Sequence, residues 1–136
     1  MHSLFPDICS ASPAVSRDFY VSLFGFRVAF EIDWYVQLQS PEDPNLQLAF
    51  VQRGHDSVPA GFGGPPHGVL VTIETKDVDA LHERARELGC EIVYALRDEA
   101  WGQRHFMTKD PDGLLVDVVQ LIPPAPEFLR EHGLAG

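Results

Sequence analysis

The order strand, helix, glycine, three strands occurs twice in this chain, and few architectures accommodate such a repeat. In the first copy, residues 3–10 form a strand-like run. Ser12 can then cap a helix, and Pro13 suits its first position. Val15, Phe19, Ser22 and Leu23 share one helical stripe, and Gly25 fits the position just past the C-terminus. Residues 26–32, 34–39 and 46–52 read as strands, with a loop at Pro41-Glu42-Asp43-Pro44. The second copy begins with a strand over 68–75. Asp77 caps a helix whose Val78, Leu81, Ala85 and Leu88 share a face, and Gly89 ends it. Strands over 91–97, 103–109 and 114–121 follow. Residues 53–66, rich in Gly and Pro, read as a linker or mobile loop between the halves. Pro123-Pro124-Ala125-Pro126 stops the last strand, leaving a tail over 122–136 with room for a helical turn.

Alternation within the strands gives each sheet two different faces. Val69, Val71 and Ile73 form an apolar face suited to lying under a helix, opposite Leu70, Thr72 and Glu74. Leu46, Leu48 and Phe50 oppose Gln47, Ala49 and Val51. Val116 and Val118 oppose Leu115, Asp117 and Val119. A mixed face with a few polar groups has the character of a ligand pocket. The last two strands, spanning 99–120, are joined by Asp110-Pro111-Asp112-Gly113, where Pro presets φ and Gly supplies a positive-φ position. Asp117 is the one carboxylate in an otherwise apolar strand. That placement is costly unless the group faces water, a partner or a ligand.

At 136 residues the chain suffices for one domain with a real core. No apolar run approaches a membrane span of roughly 20 residues. The first ten residues show no cationic start followed by an apolar block, so no secretory signal is expected. Cys9 and Cys90 are too few for a disulfide framework, and reduced thiols in the cytoplasm are the expectation. Ten basic against 20 acidic residues give a net charge of -10, which argues against nucleic acid. The same charge either attracts a cationic small ligand or serves solubility alone.

The paired modules, the run SRDFYVSLFGF after the first strand, DVDALHERARELG in the second half and WGQRHFMTKDPDG before the last strand resemble the vicinal oxygen chelate superfamily. This group includes glyoxalase I, extradiol dioxygenases, fosfomycin-resistance proteins and bleomycin-binding proteins. The resemblance covers about residues 3–121 and implies an α+β fold: two βαβββ modules whose curled mixed sheets surround a concave cavity, with helices outside. It also implies a homodimer. The fold hosts metal-dependent lyases, isomerases and dioxygenases as well as metal-free drug binders, so it does not by itself assign a function.

Metal-dependent members of this superfamily place His, Glu or Gln ligands on the first and fourth strands of each module. Carried over, the first-strand positions fall on Phe5 and Leu70, which cannot bind a metal. The fourth-strand positions fall on Gln47 or Ala49 and on Asp117. No cofactor is therefore expected. The alternative is a divalent Zn, Ni, Mn or Fe ion held by His67, Gln47 and Asp117, although His67 has the wrong strand parity; Asp7 with Gln47 and Asp117 is a further conceivable set. The leading expectation is a metal-free binder of the bleomycin-resistance type, with antibiotic sequestration as its role. The alternative is a glyoxalase-like lyase or dioxygenase, and a dimeric interaction module is a third reading.

The expected ligand site comprises Phe5, Asp7, Trp34, Tyr35, Gln47, Phe62, Leu70, Glu74, Trp101, Phe106 and Asp117. The aromatic side chains either stack on a flat ligand or pack as core. Asp117, Asp7 or Glu74 supplies charge complementarity, with Asp117 alternatively a buried partner of Arg104 or Arg97. Phe62, in the Gly-rich segment, closes over a ligand or packs on a partner chain. Cys9 shares the parity of Phe5 without an activating neighbour. His105 has no adjacent Ser or Cys, so no nucleophilic triad is expected.

Overall fold

The structure is a computed structural model that describes residues 1–134. It comprises two compact units. The first is Met1–Val69 together with Asp110–Leu114; the second is Leu70–Lys109 and the chain from Leu115 onward. The first unit holds β1 (Asp7–Ser10), α1 (Pro13–Phe24), β2 (Arg27–Ile32), β3 (Tyr35–Gln39) and β4 (Gln47–Gln52). The second holds β5 (Leu70–Glu74), α2 (Val78–Glu87), β6 (Ile92–Glu99), β7 (Gln103–Lys109), β8 (Leu115–Leu121) and α3 (Pro126–Glu131). Each unit has one four-stranded sheet, in the orders β1-β4-β3-β2 and β5-β8-β7-β6. In each, the first strand lies parallel to the fourth and the other pairs are antiparallel. The α+β class and the βαβββ order of both modules are thus those expected.

The caps act as the sequence predicts. Ser12 accepts a hydrogen bond from the Val15 N–H, Pro13 opens α1, and Gly25 takes the left-handed conformation at φ 75°. Asp77 accepts from the Ala80 N–H at the start of α2. The face of α1 differs from the expected stripe. Its buried residues are Pro13, Ser16, Tyr20 and Leu23, while Val15 is 53% exposed. Polar groups on the buried side explain the displacement: the Tyr20 hydroxyl donates to Asp110 Oδ2 (2.9 Å) and the Ser16 hydroxyl to Asp112 Oδ2 (2.7 Å). Counting apolar residues cannot find a face chosen partly by hydrogen bonds. In α2, Val78 and Ala85 are buried, but Leu88 is the exposed C-cap residue. The first strand is shorter than expected, so Phe5 precedes it; only the Pro6 carbonyl continues the pairing, accepting from the Ala49 N–H.

In the first unit α1 packs over β3 and β4, where Tyr20 lies 5.4 Å from the Phe50 ring and Leu38, Leu48 and Val36 complete the core. In the second unit α2 covers Phe106, Thr108, Val116 and Val118. Phe106 is fully buried, its ring 5.0 Å from that of His82 beneath α2. This corrects the expectation that it lines a ligand site. Strand parity puts it opposite Val118, on the face away from Asp117.

Gly102 is the most closely packed of the described glycines. Its φ is +101°, and an added Cβ would lie 2.8 Å from the Ile122 carbonyl oxygen. The segment after β8 is held there by the Ile122 N–H to the Gly102 carbonyl (2.9 Å) and the Ala125 N–H to the Ala100 carbonyl (2.8 Å). Gly102→Ala combines a left-handed φ with a backbone clash, so it is expected to cost about 1–3 kcal/mol, read as a lower urea midpoint.

Candidate functional site

The open face of the first sheet carries a groove of 330 Å³ lined by Asp7, Phe30, Ile32, Trp34, Tyr35, Val51, Ser57 and Val58. Strand register explains the grouping. Tyr35 pairs with Val51 and with Ile32, and Phe30 pairs with Gln37, so alternate residues of three strands share this face. Asp7, opposite Ala49 on β1, brings a carboxylate to it. Trp34 projects from the turn before β3, its indole stacked on the His55 ring at 3.8 Å and 7°. Ser57 and Val58 come from the loop after β4.

Asp7 is solvent-exposed, yet its neighbours strip enough water from it to push its carboxyl above the ordinary 3.8. The Tyr35 phenol is likewise pushed up, first by burial and then by the charge of Asp7. Burial and Asp7 also raise the Cys9 thiol, which is therefore less thiolate-like than a free cysteine. Along the same face a side-chain chain runs from the Tyr35 hydroxyl to Gln37 Oε1 (3.0 Å), from Gln37 Nε2 to Gln47 Oε1 (2.6 Å) and from Gln47 Nε2 to the Pro44 carbonyl (2.8 Å).

The second sheet places a different group on the face away from α2. His105 is 2% exposed. Its Nδ1 donates to Asp117 Oδ1 at 2.8 Å, and its Nε2 faces Glu99 Oε2 at 3.3 Å. Glu99 also accepts from the Tyr94 hydroxyl (3.0 Å) and from Arg97 Nε (2.9 Å). Asp117 is thus the partner of a histidine and not of Arg104 or Arg97. Arg104 bonds Asp79 and Asp98. The Trp101 indole donates to Gln103 Oε1 at 2.8 Å and is half exposed.

The expected site residues therefore divide. Asp7, Trp34 and Tyr35 meet in the groove. Gln47 lies on the same sheet face but outside the groove lining, its amide used within the protein. Phe62 is 77% exposed, and its carbonyl faces the Cys9 thiol at 3.7 Å. Leu70, Glu74, Trp101 and Asp117 belong to the second unit. His67 is exposed in the turn segment before β5 and is grouped with the first unit. Phe30, Ile32, Val51, Ser57 and Val58 were not anticipated; parity with Tyr35 marks the first three, and nothing in the periodicity marks the loop pair. The pairing of His105 with Asp117 and Glu99, and of Glu99 with Tyr94, also lies outside the expected set.

The chain belongs to the Glyoxalase/Bleomycin resistance protein/Dioxygenase superfamily, whose family model matches residues 5–118. An uncharacterized protein of Mycobacterium bovis is 27% identical over 125 residues, covering 82% of this chain and 78% of that protein. A Mycobacterium tuberculosis protein shows the same identity, with 69% of its length covered. Among solved structures, TioX from Micromonospora sp. ML1 has a TM-score of 0.72 at 22% identity, over 88% of this chain and 98% of that one. TnmS3, an antibiotic binding protein from Streptomyces sp. CB03234, has 0.69 at 24% identity, over 89% and 96%. These structural likenesses show the shared fold.

The residues present do not suit the superfamily's metal. Asp7 opposite Ala49 in one sheet occupies the register of Thr72 opposite Asp117 in the other, since Phe5 and Leu70 each stand two residues earlier. Phe5, Ala49 and Leu70 offer only carbon. Asp117, the fourth position, is already bonded to His105. In the Glu99–His105–Asp117 group the carboxylates face opposite edges of one ring, so they do not converge on a shared point. Among the described residues, no three His, Cys, Asp or Glu side chains are grouped to hold one ion. No helix among them is long and apolar enough to cross a membrane.

Proposed function

We propose that this chain binds a small organic cation with a flat apolar body in the groove of its first unit, without a metal, as a sequestering protein. The observation that carries this reading is a cleft walled by Phe30, Ile32, Trp34, Tyr35 and Val51 with Asp7 as its one ionisable carboxylate. Apolar walls supply contact area, and a single oriented charge supplies selectivity. The antibiotic binding printed for TnmS3 supports the same class of ligand. A homodimer belongs to this reading, because β2 is an edge strand of its sheet that a second copy would cover. A lyase or dioxygenase reading would need metal donors that Phe5, Ala49 and Leu70 do not supply.

Fluorescence titration with the planar cation proflavine tests the proposal, with the anion 1-anilinonaphthalene-8-sulfonate as comparison. Proflavine is expected to bind more tightly than the anion. Asp7→Asn is expected to weaken it about fivefold, corresponding to about 1 kcal/mol for an exposed ion pair. The carboxyl attracts a cation only when ionised, and its folded-state value lies above the ordinary 3.8. Affinity should therefore fall as pH is lowered through that raised value, and the fall should vanish in Asp7→Asn. Equal binding of cation and anion, or a pH profile unchanged by Asp7→Asn, would overturn the assignment.

A further inference from the structure

His55 is absent from the groove lining, yet it touches both of the groove's irregular walls. Its ring lies parallel to the Trp34 indole, with centroids 3.8 Å apart and planes at 7°. Its Nδ1 accepts the Ser57 N–H at 3.1 Å and lies 2.9 Å from the Ser57 hydroxyl. Because an N–H points at it, that nitrogen is the bare one and the ring hydrogen sits on Nε2. The backbone completes the bracket. The Gln52 N–H donates to the Trp34 carbonyl, the His55 N–H to the Gln52 carbonyl and the Val58 N–H to the His55 carbonyl. The loop neck closes where the Gly54 N–H meets the Gly63 carbonyl at 3.3 Å. Trp34, Ser57 and Val58 are three of the eight lining residues, and none of them lies within a strand.

We infer that His55 is a positioning residue for the ligand groove: its ring holds the Trp34 indole while its Nδ1 holds the loop that presents Ser57 and Val58. The inference rests on the groove being the ligand site. A histidine suits the task because two separate features are needed at one position. The flat face supplies stacking, and the in-plane acceptor two residues before Ser57 supplies the loop latch. Phenylalanine keeps the first feature and loses the second. Asparagine keeps an acceptor that can bond the N–H two residues on and loses the first.

This separation makes the test. In a Trp101→Phe background Trp34 is the single tryptophan, and acrylamide quenching reports its coverage directly. Quenching is expected to rise about twofold or more in His55→Ala and His55→Asn and to stay low in His55→Phe, which retains the stack. Proflavine affinity is expected to fall about threefold to tenfold in His55→Ala, with His55→Phe and His55→Asn each recovering part of it. Thermal melts of all variants should remain cooperative, separating positioning from loss of fold. Unchanged quenching in His55→Ala would overturn the inference. So would altered quenching with an unaltered proflavine constant. If the parent protein does not take up proflavine at all, the groove proposal fails, and the quenching series still decides whether His55 holds Trp34.

Discussion

His105→Leu is expected to remove about 3–5 kcal/mol from the folding free energy, a large part of the roughly 5–15 kcal/mol that a domain of this kind possesses. The imidazole is 2% exposed, and Asp117, at 9%, bonds to it. Removing the ring leaves the Asp117 carboxylate desolvated without its donor, and that penalty exceeds the net value of the bond itself. Glu99 suffers less, because Tyr94 and Arg97 still donate to it. A second substitution separates the causes. In His105→Leu with Asp117→Val both polar partners are gone, and apolar replacements of a buried pair are often neutral. The double variant should therefore recover at least half of the loss in urea unfolding. A single-variant cost below about 1 kcal/mol, or a double variant no better than the single, would show that the pair does not stabilise the sheet.

The His105–Asp117 pair also shows where sequence reading stops. The signals for the repeated module are local: Ser12 before Pro13, Gly25 after α1, and Asp110-Pro111-Asp112-Gly113 with Gly113 at φ 84° between β7 and β8. Each depends on a few adjacent residues, so each is legible. The partner of Asp117 depends on hairpin register. Lys109 opposite Leu115 places Met107 opposite Asp117 and His105 opposite Val119, on one face and diagonal to each other. That relation follows from counting back through the turn. Arg104, a tempting partner by charge, has the opposite parity and turns to Asp79 and Asp98 instead. The groove was half legible for the same reason. Tyr35 and Asp7 follow from strand alternation. Ser57 and Val58 reach it through loop hydrogen bonds that no period encodes.

The turn Asp110-Pro111-Asp112-Gly113 carries the second large effect. Asp112→Ala is expected to cost roughly 3 kcal/mol, with Asp112→Asn costing about half as much. The Asp112 side chain is 1% exposed and accepts from three donors: the Ala11 N–H (2.8 Å), the Ser16 hydroxyl (2.7 Å) and Arg53 (2.9 Å). All belong to the first unit, where they surround the start of α1. Truncation strands the Ala11 N–H and removes the counter-charge of Arg53, whose Nε is already buried without a partner. Arg53 is 30% exposed and can turn toward water, which keeps the cost below that of a fully buried pair. Ser16 retains its contact with the Ser10 hydroxyl at 2.9 Å. Asparagine keeps the Oδ1 acceptor shared by the Ala11 N–H and Arg53 but loses the carboxylate charge that strengthens the Arg53 bond, and its amide N–H replaces the acceptor at Oδ2 so that the Ser16 hydroxyl must turn to accept. Urea unfolding of the two variants should therefore rank wild type above Asn above Ala. Hydrogen exchange at the Ala11 amide should rise in the Ala variant ahead of amides in β7. Equal stability of all three proteins would mean that the turn needs only Gly113 and the backbone, and that the buried carboxylate is incidental.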